Sequence, residues 1–291
     1  MHAIRLVTLK SGEMNIILRG GIMSRNLTKE ELTAHKDQAL MKLDKTIKKY
    51  IDSSDHKMTC KADILSFWIE QYSDYLLSES SFSPQKLKRY ERGDVIQINL
   101  GFRVGSEQGG LHYAVVLDSN NAVNSSVITI IPLSSKKETE TVVKYDIDLG
   151  GDIYTKMKLK NDTLLTSTRK KLEELKKVLY ELPDTEKDQD KAPEESEIVK
   201  QLVVRYNVNI SAVIRDIKTL EKMKSQIARM KEGSIALVGQ ITTISKMKIY
   251  NPKGTQDTLS GIKLSPTDMD EISDKMKELY FHNFIKKELT N

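Results

Sequence analysis

Between Val95 and Ile147 the apolar residues come in four short runs, each closed off by glycine, asparagine or serine. They are Val95-Ile96-Gln97-Ile98-Asn99-Leu100, Tyr113-Ala114-Val115-Val116-Leu117, Val127-Ile128-Thr129-Ile130-Ile131 and Val142-Val143-Lys144-Tyr145-Asp146-Ile147. Runs of this length, rich in β-branched residues, suit strands rather than helices. Two more, Ile235-Ala236-Leu237-Val238 and Ile241-Thr242-Thr243-Ile244, return after a long interval. Several short strands with turn residues between them predict a small β-barrel. Helical periodicity before, between and after the runs makes the chain α+β.

The helices announce themselves at their starts. Thr28-Lys29-Glu30-Glu31 has the spacing of a capping box, and Leu32, Leu40, Leu43, Ile47 and Ile51 follow at helical intervals. A second helix is expected over 62–77, with Leu65, Trp68, Tyr72 and Leu76 on one face, which we expect to dock on the barrel. Leu165, Leu172, Leu175, Leu179 and Leu182, then Ile198, Leu202, Val213, Ile217, Leu220 and Ile227, flank an acidic turn over 183–193. These predict an antiparallel helical hairpin projecting from the barrel and stopped at Gly233. So read, replacing 155–230 with a short linker would leave the barrel folded. Ser265-Pro266-Thr267-Asp268 opens a last helix, with serine at N-cap and proline at N1. The expected layout is a helical segment over 23–91, a barrel from 92–150 and 233–291, and the inserted hairpin over 151–232. Residues 1–22 read as a translated leader or a short hairpin. Arg19-Gly20-Gly21 just before Met23 permits a purine-rich run ahead of a start codon, so Met23 is the hypothesised natural start.

Composition excludes some classes. Charged residues reach 30%, and no window approaches 18 consecutive apolar residues, so no membrane span is expected. A single cysteine, Cys60, rules out an internal disulfide, and no Cys/His cluster has metal-ligand spacing. Neither a metal nor another cofactor is expected, and a reducing cytoplasm fits. The net charge is +5, but the barrel segments sum to −1, from −2 over 92–150 and +1 over 233–291. A strong phosphate-binding field is therefore not built into them.

Five short motifs, taken in order, resemble MazF/PemK toxins of bacterial toxin–antitoxin systems. Arg92-Gly93-Asp94-Val95 and Gly105-Ser106-Glu107-Gln108-Gly109-Gly110 are similar to that family's first strand and glycine-rich loop. Asn120-Asn121 and Asn124 stand at its asparagine-containing turn, and Ile130-Ile131-Pro132-Leu133-Ser134-Ser135 resembles its V-x-P-L-T-S strand end. Gln240-Ile241-Thr242-Thr243-Ile244 resembles its Q-I-R-T-I strand. The resemblance implies an SH3-like β-barrel (MazF/PemK/CcdB-like) with a C-terminal helix, forming a homodimer. It also implies metal-independent cleavage of single-stranded RNA and an antitoxin that blocks the groove. There are departures. Where many members carry Arg-Pro after the Gly-Gly pair, this chain has His112-Tyr113, and the catalytic threonine aligns with Ser134. Leu237 and Gly239 stand where PemK-type enzymes have an arginine and an aspartate.

Metal-independent RNA cleavage needs a base for the 2′-OH, an acid for the leaving 5′-oxygen and donors for the phosphorane. Of the two histidines in the barrel segments, His112 and His282, only His112 stands at the position that the resemblance makes catalytic, and imidazole titrates near neutral pH. It is the first catalytic candidate, with Ser134 as hydroxyl donor and Glu107 as a second acid or base. Arg103 and Ser135 are candidates for phosphate, and Ser106 and Gln108 for base edges of an unpaired strand. The plain readings are a hydrogen-bonded structural histidine, turn-capping serines and solvated loop charges. A non-catalytic relative that binds protein or nucleic acid stays open as the alternative, with a gyrase-directed poison behind it.

Overall fold

The computed structural model describes residues 27–136, 141–181 and 193–281. The leader or hairpin over 1–22, the Met23 start and the acidic turn over 183–192 lie outside the described residues. The chain divides into two compact units, Met1–Ile69 and Glu70–Asn291.

In the first unit, α1 (Lys29–Ile51) is started by the capping box read from the sequence. The Glu31 N–H donates to Thr28 Oγ1 at 3.2 Å, and the Thr28 N–H donates to Glu31 Oε2 at 2.9 Å. Glu30 and Glu31 at the positive end and Lys48 and Lys49 at the negative end complement the helix dipole. No residue of α1 is buried. The next helix, α2 (His56–Ser78), begins ahead of the expected Ala62. Asp55 explains this, because its carboxylate accepts the Lys57 N–H at 2.9 Å and caps the helix earlier.

The second unit is built on one antiparallel sheet. Its strands are β1 (Val95–Asn99), β2 (Leu111–Val116), β3 (Val127–Ser135), β4 (Ile147–Gly150), β5 (Ser234–Ala236), β6 (Thr242–Ser245) and β7 (Ile249–Asn251). Their order is β4-β5-β3-β2-β1-β7, with β6 also paired to β3. Mixed helix and antiparallel strand make the fold α+β. The end strands β4 and β7 do not pair among the described residues, so the sheet is open rather than a closed barrel. The expected strand over 142–147 is mostly a turn. The Asp146 N–H donates to Val143 O at 2.9 Å, Val143 and Tyr145 are exposed, and pairing begins only at Ile147. Strand β7 had no sequence signal, since Ile249 is a lone buried apolar residue between Lys248 and the Asn251-Pro252 turn.

Strand alternation sorts the core into two faces. Val95, Val115, Ile131 and Leu133 meet the helices, including Met269 and Ile272 of α5 (Pro266–Tyr280). Ile96, Ile98, Ala114, Val116, Ile128 and Ile130 pack on the other face with Tyr90 and Ile249. Tyr90 donates its hydroxyl to Pro252 O at 2.6 Å, and burial pushes that hydroxyl's pKa well above the ordinary phenol value.

The hairpin of α3 (Asp152–Glu181) and α4 (Pro193–Arg229) is not a detached projection. Ile153, Met157 and Met223 are at most 1% exposed and belong to the same core as Val95 and Val115. Burial of each such side chain is worth about 1.5–3 kcal/mol. Lys160 extends the attachment, donating to the carbonyls of Asp257, Thr258 and Ser260 at 3.0, 2.9 and 2.6 Å. Periodicity located the helices but could not show that their apolar stripe faces the sheet as well as each other.

Candidate functional site

The glycine-rich connection between β1 and β2 folds back on itself. The Leu100 N–H donates to Gly110 O at 2.8 Å and the Gly110 N–H to Gly101 O at 2.7 Å. Gly105 and Gly110 have φ of 65° and 80°, in the left-handed region glycine favours. Gly109 is required for a different reason. A Cβ there would lie 2.7 Å from Arg103 Cβ and 2.8 Å from Gly101 O. Glu107 Oε2 accepts the Val104 N–H at 3.1 Å, and the Gln108 N–H donates to Gln240 Oε1 at 2.8 Å. That last bond ties the loop to the single turn Val238–Gln240 between β5 and β6.

A groove of about 640 Å³ opens between loop and turn. Ser106, Glu107 and Gln108 line it, facing Pro132, Gln240 and Thr242. Three of the residues singled out from the sequence therefore share one cavity. Arg103 is exposed and does not line it. Gly239 lines the groove with backbone only.

His112 and Ser134 occupy the same face of the sheet as this groove but do not line it. His112 is half-buried and paired to Ile98, whose side shares its face with Ala114 and Pro132. Continuing the β2–β3 register from Ala114↔Pro132 would set His112 opposite Ser134. The ladder stops at Pro132, which has no N–H to give. Beyond it β3 pairs with β5, with Ser134 opposite Ile235 and Ser135 opposite Ser234. Ser135 is exposed.

Two residues that the sequence reading passed over hold the loop in place. One is Gln240, noted there only as part of a motif. The other is Asn99, whose Oδ1 accepts the Gly101 N–H at 2.8 Å while its amide donates to Gln71 Oε1. Tyr75 also hydrogen-bonds Asn99, and burial raises its hydroxyl pKa. The part of α2 from Glu70 onward, which belongs to the second unit, thus touches the base of the loop. An asparagine at a strand end two positions before a glycine was the available signal. Of the conspicuous asparagines, Asn121 is structural: it is buried and donates to Asp118 Oδ2 at 2.6 Å and Val127 O at 3.1 Å. Arg92 is structural as well, donating to Leu117 O and Ser273 Oγ, both at 2.7 Å.

Residues 91–189 match the family described as PemK-like, MazF-like toxin of type II toxin-antitoxin system. The match takes in β1 to β4, the glycine-rich loop and α3. No curated protein matches the chain.

Proposed function

From the premise that residues 91–189 carry a PemK- and MazF-type toxin domain, we propose that the protein is an endoribonuclease toxin acting on single-stranded RNA without a metal. The observation that carries this reading is the groove, which gathers Ser106, Glu107 and Gln108 on the sheet face that also holds His112 and Ser134. An unpaired strand would lie along that face, with Ser106 and Gln108 hydrogen-bonding base edges. His112 takes the proton from a 2′-OH as that oxygen attacks the adjacent phosphorus. The bond to the 5′-oxygen breaks, and a proton delivered to that oxygen leaves a 2′,3′-cyclic phosphate and a 5′-hydroxyl. Ser134 and neighbouring backbone N–H groups steady the charge on the phosphorane, and Arg103 and Ser135 serve flanking phosphates. Glu107 is the second acid or base. A cognate antitoxin, a homodimeric assembly and action in the cytoplasm belong to the same reading. No helix among the described residues is long and apolar enough to cross a membrane.

The test is incubation of the purified protein with a long RNA in EDTA, followed by mapping of new ends. Discrete 5′-hydroxyl ends that disappear with His112→Ala support the reading, and an intact RNA overturns it. A second reading, a toxin-like protein that binds RNA or a protein without cutting, is favoured by two observations. The Glu107 carboxylate is engaged inside its own loop, and His112 stands outside the groove lining. Tight RNA binding with no new ends would select it.

A further inference from the structure

The apolar stripe of α1 has no buried residue. Leu32, Leu40, Leu43, Ile47, Tyr50 and Ile51 fall within about 120° of the helix circumference, a width that in a folded protein faces a core. Leu32 and Leu40 are each 56% exposed and Ile51 is 57% exposed. Leu43, Ile47 and Tyr50 are half-buried, and Lys61 Nζ of α2 stands 5.3 Å from the centre of the Tyr50 ring. On α2, within the same unit, Ile64 and Phe67 are one turn apart and exposed.

Two observations say what fits this stripe. The first is area. Leu32, Leu40, Ile51, Ile64 and Phe67, each more than half exposed, present on the order of 100 Å² apiece. With the half-buried residues of α1 they approach the roughly 800 Å² per partner of a stable interface. The second is charge. Glu30 and Glu31 stand in the first turn and Lys48 and Lys49 in the last, nearly equidistant from Leu40 at the middle of the helix. Two copies of α1 laid antiparallel about Leu40 set the acidic turn of each against the basic turn of the other, whereas a parallel pair sets like charge on like. Glu31 closes the capping box and Lys48 holds Asp44 at 2.8 Å, so Glu30 and Lys49 carry this complementarity. Asp37, nearer the centre, is held by Lys36 of the same helix at 2.8 Å.

We propose that α1 is a self-association surface, through which two copies of the chain pair antiparallel about a two-fold axis near Leu40. Such an isologous contact uses the same patch on both subunits and closes on itself. The apolar stripe supplies its energy and the charged ends set its direction. A membrane surface would take the same stripe, but it suits a polar face rich in cations, and α1 begins acidic. The helix lies outside the residues that match the toxin family, and none of its residues lines the candidate groove. The contact therefore stands apart from the ribonuclease reading and from any pairing made by the toxin domain.

Sedimentation of the full chain beside its Leu32→Lys, Leu40→Lys double variant tests this. Both positions are exposed and lysine is a good helix former, so the fold is expected to persist. At micromolar concentration the wild type should show twice the mass of the variant, whatever further pairing the toxin domain adds. Disulfide trapping reads the direction, in a Cys60→Ser background because Cys60 is an exposed thiol. Leu40→Cys should cross-link two copies under mild oxidation, and Gln38→Cys, on the opposite side of α1, should not. Glu30→Cys and Lys49→Cys chains should cross-link when mixed and little when oxidised alone. Equal mass of the wild type and the folded double variant overturns the proposal, as does Leu40→Cys that stays uncross-linked. Self-cross-linking of Glu30→Cys overturns the antiparallel arrangement. Binding to anionic phospholipid vesicles by a wild type no heavier than the variant would assign the stripe to a membrane instead. If the double variant loses its thermal transition, the cross-links carry the test. RNA cleavage enters none of these readouts, so a failure here is distinct from a failure of the ribonuclease reading.

Discussion

The backbone N–H of Gln108 donates to the side-chain oxygen of Gln240 at 2.8 Å, joining residues 132 positions apart. One wall of the candidate groove is thereby fastened to the other. Gln240→Leu removes the acceptor and strands a half-buried amide, for a loss of about 1 kcal/mol. The expected result is faster hydrogen exchange at Gln108 and weaker RNA cleavage with little change in melting temperature. Gln240→Glu keeps an acceptor and should preserve the slow exchange. Equal exchange in the wild type and Gln240→Leu would show that the bond does not hold the loop.

His112→Ala is expected to lower RNA cleavage by about 10²–10⁴-fold, the usual contribution of a general acid or base. Circular dichroism should show an unchanged fold, since the ring is half-buried rather than part of the core. Ser134→Ala should cost less, because backbone donors remain. Near wild-type cleavage by folded His112→Ala protein would remove this residue from the mechanism.

Replacing 155–230 with a short linker is expected to abolish the cooperative thermal transition. It takes Met157 and Met223 out of the core shared with Val95 and Val115. Single substitutions should report the same fact more gently. Met157→Ala and Met223→Ala, each at a fully buried position, should each lose about 2–5 kcal/mol in denaturant unfolding. Losses below 1 kcal/mol at both would restore the picture of a separable hairpin.

Asp94 is 2% exposed and holds Lys88 Nζ at 2.8 Å, with Lys263 Nζ at 3.6 Å from its other oxygen. Lys88→Met leaves this carboxylate short of its closest cation, for an expected loss of about 3 kcal/mol. The paired change Lys88→Met with Asp94→Leu should recover much of it. An additive double variant would mean that the two side chains act independently.

The part of α2 beyond Glu70 bears on the loop through Asn99. Asn99→Ala removes the acceptor for Gly101 N and the contacts with Gln71 and Tyr75. Exchange at Gly101 should quicken. Deleting residues 1–80 should have the same effect on the loop. If those contacts also restrain activity, the truncated chain will cut RNA faster and inhibit growth more strongly. Unchanged activity in a stable truncated protein would exclude restraint.

What the sequence determined by itself is local. The capping boxes at Thr28 and Ser265, the short strand runs from Val95 and Val127, and the turn around Gly109-Gly110 each depend on residues a few positions apart. Backbone propensity and side-chain reach act over that distance, so a pattern in the chain suffices to read them. The ordered motifs of residues 92–135 could be read in the same way, and the family match falls on them. Tertiary structure decided the rest. Val142-Val143 reads like a strand start, yet its residues find no partner until Ile147 meets Ala236. The methionines of α3 and α4 look like a hairpin seam until the sheet supplies a face to bury them. Gln108 meets Gln240, and Gln97 and Gln226 line one cavity, because distant strands and helices close on one another. Such contacts form only when distant parts of the chain have come together, since each depends on the position of elements far away in sequence.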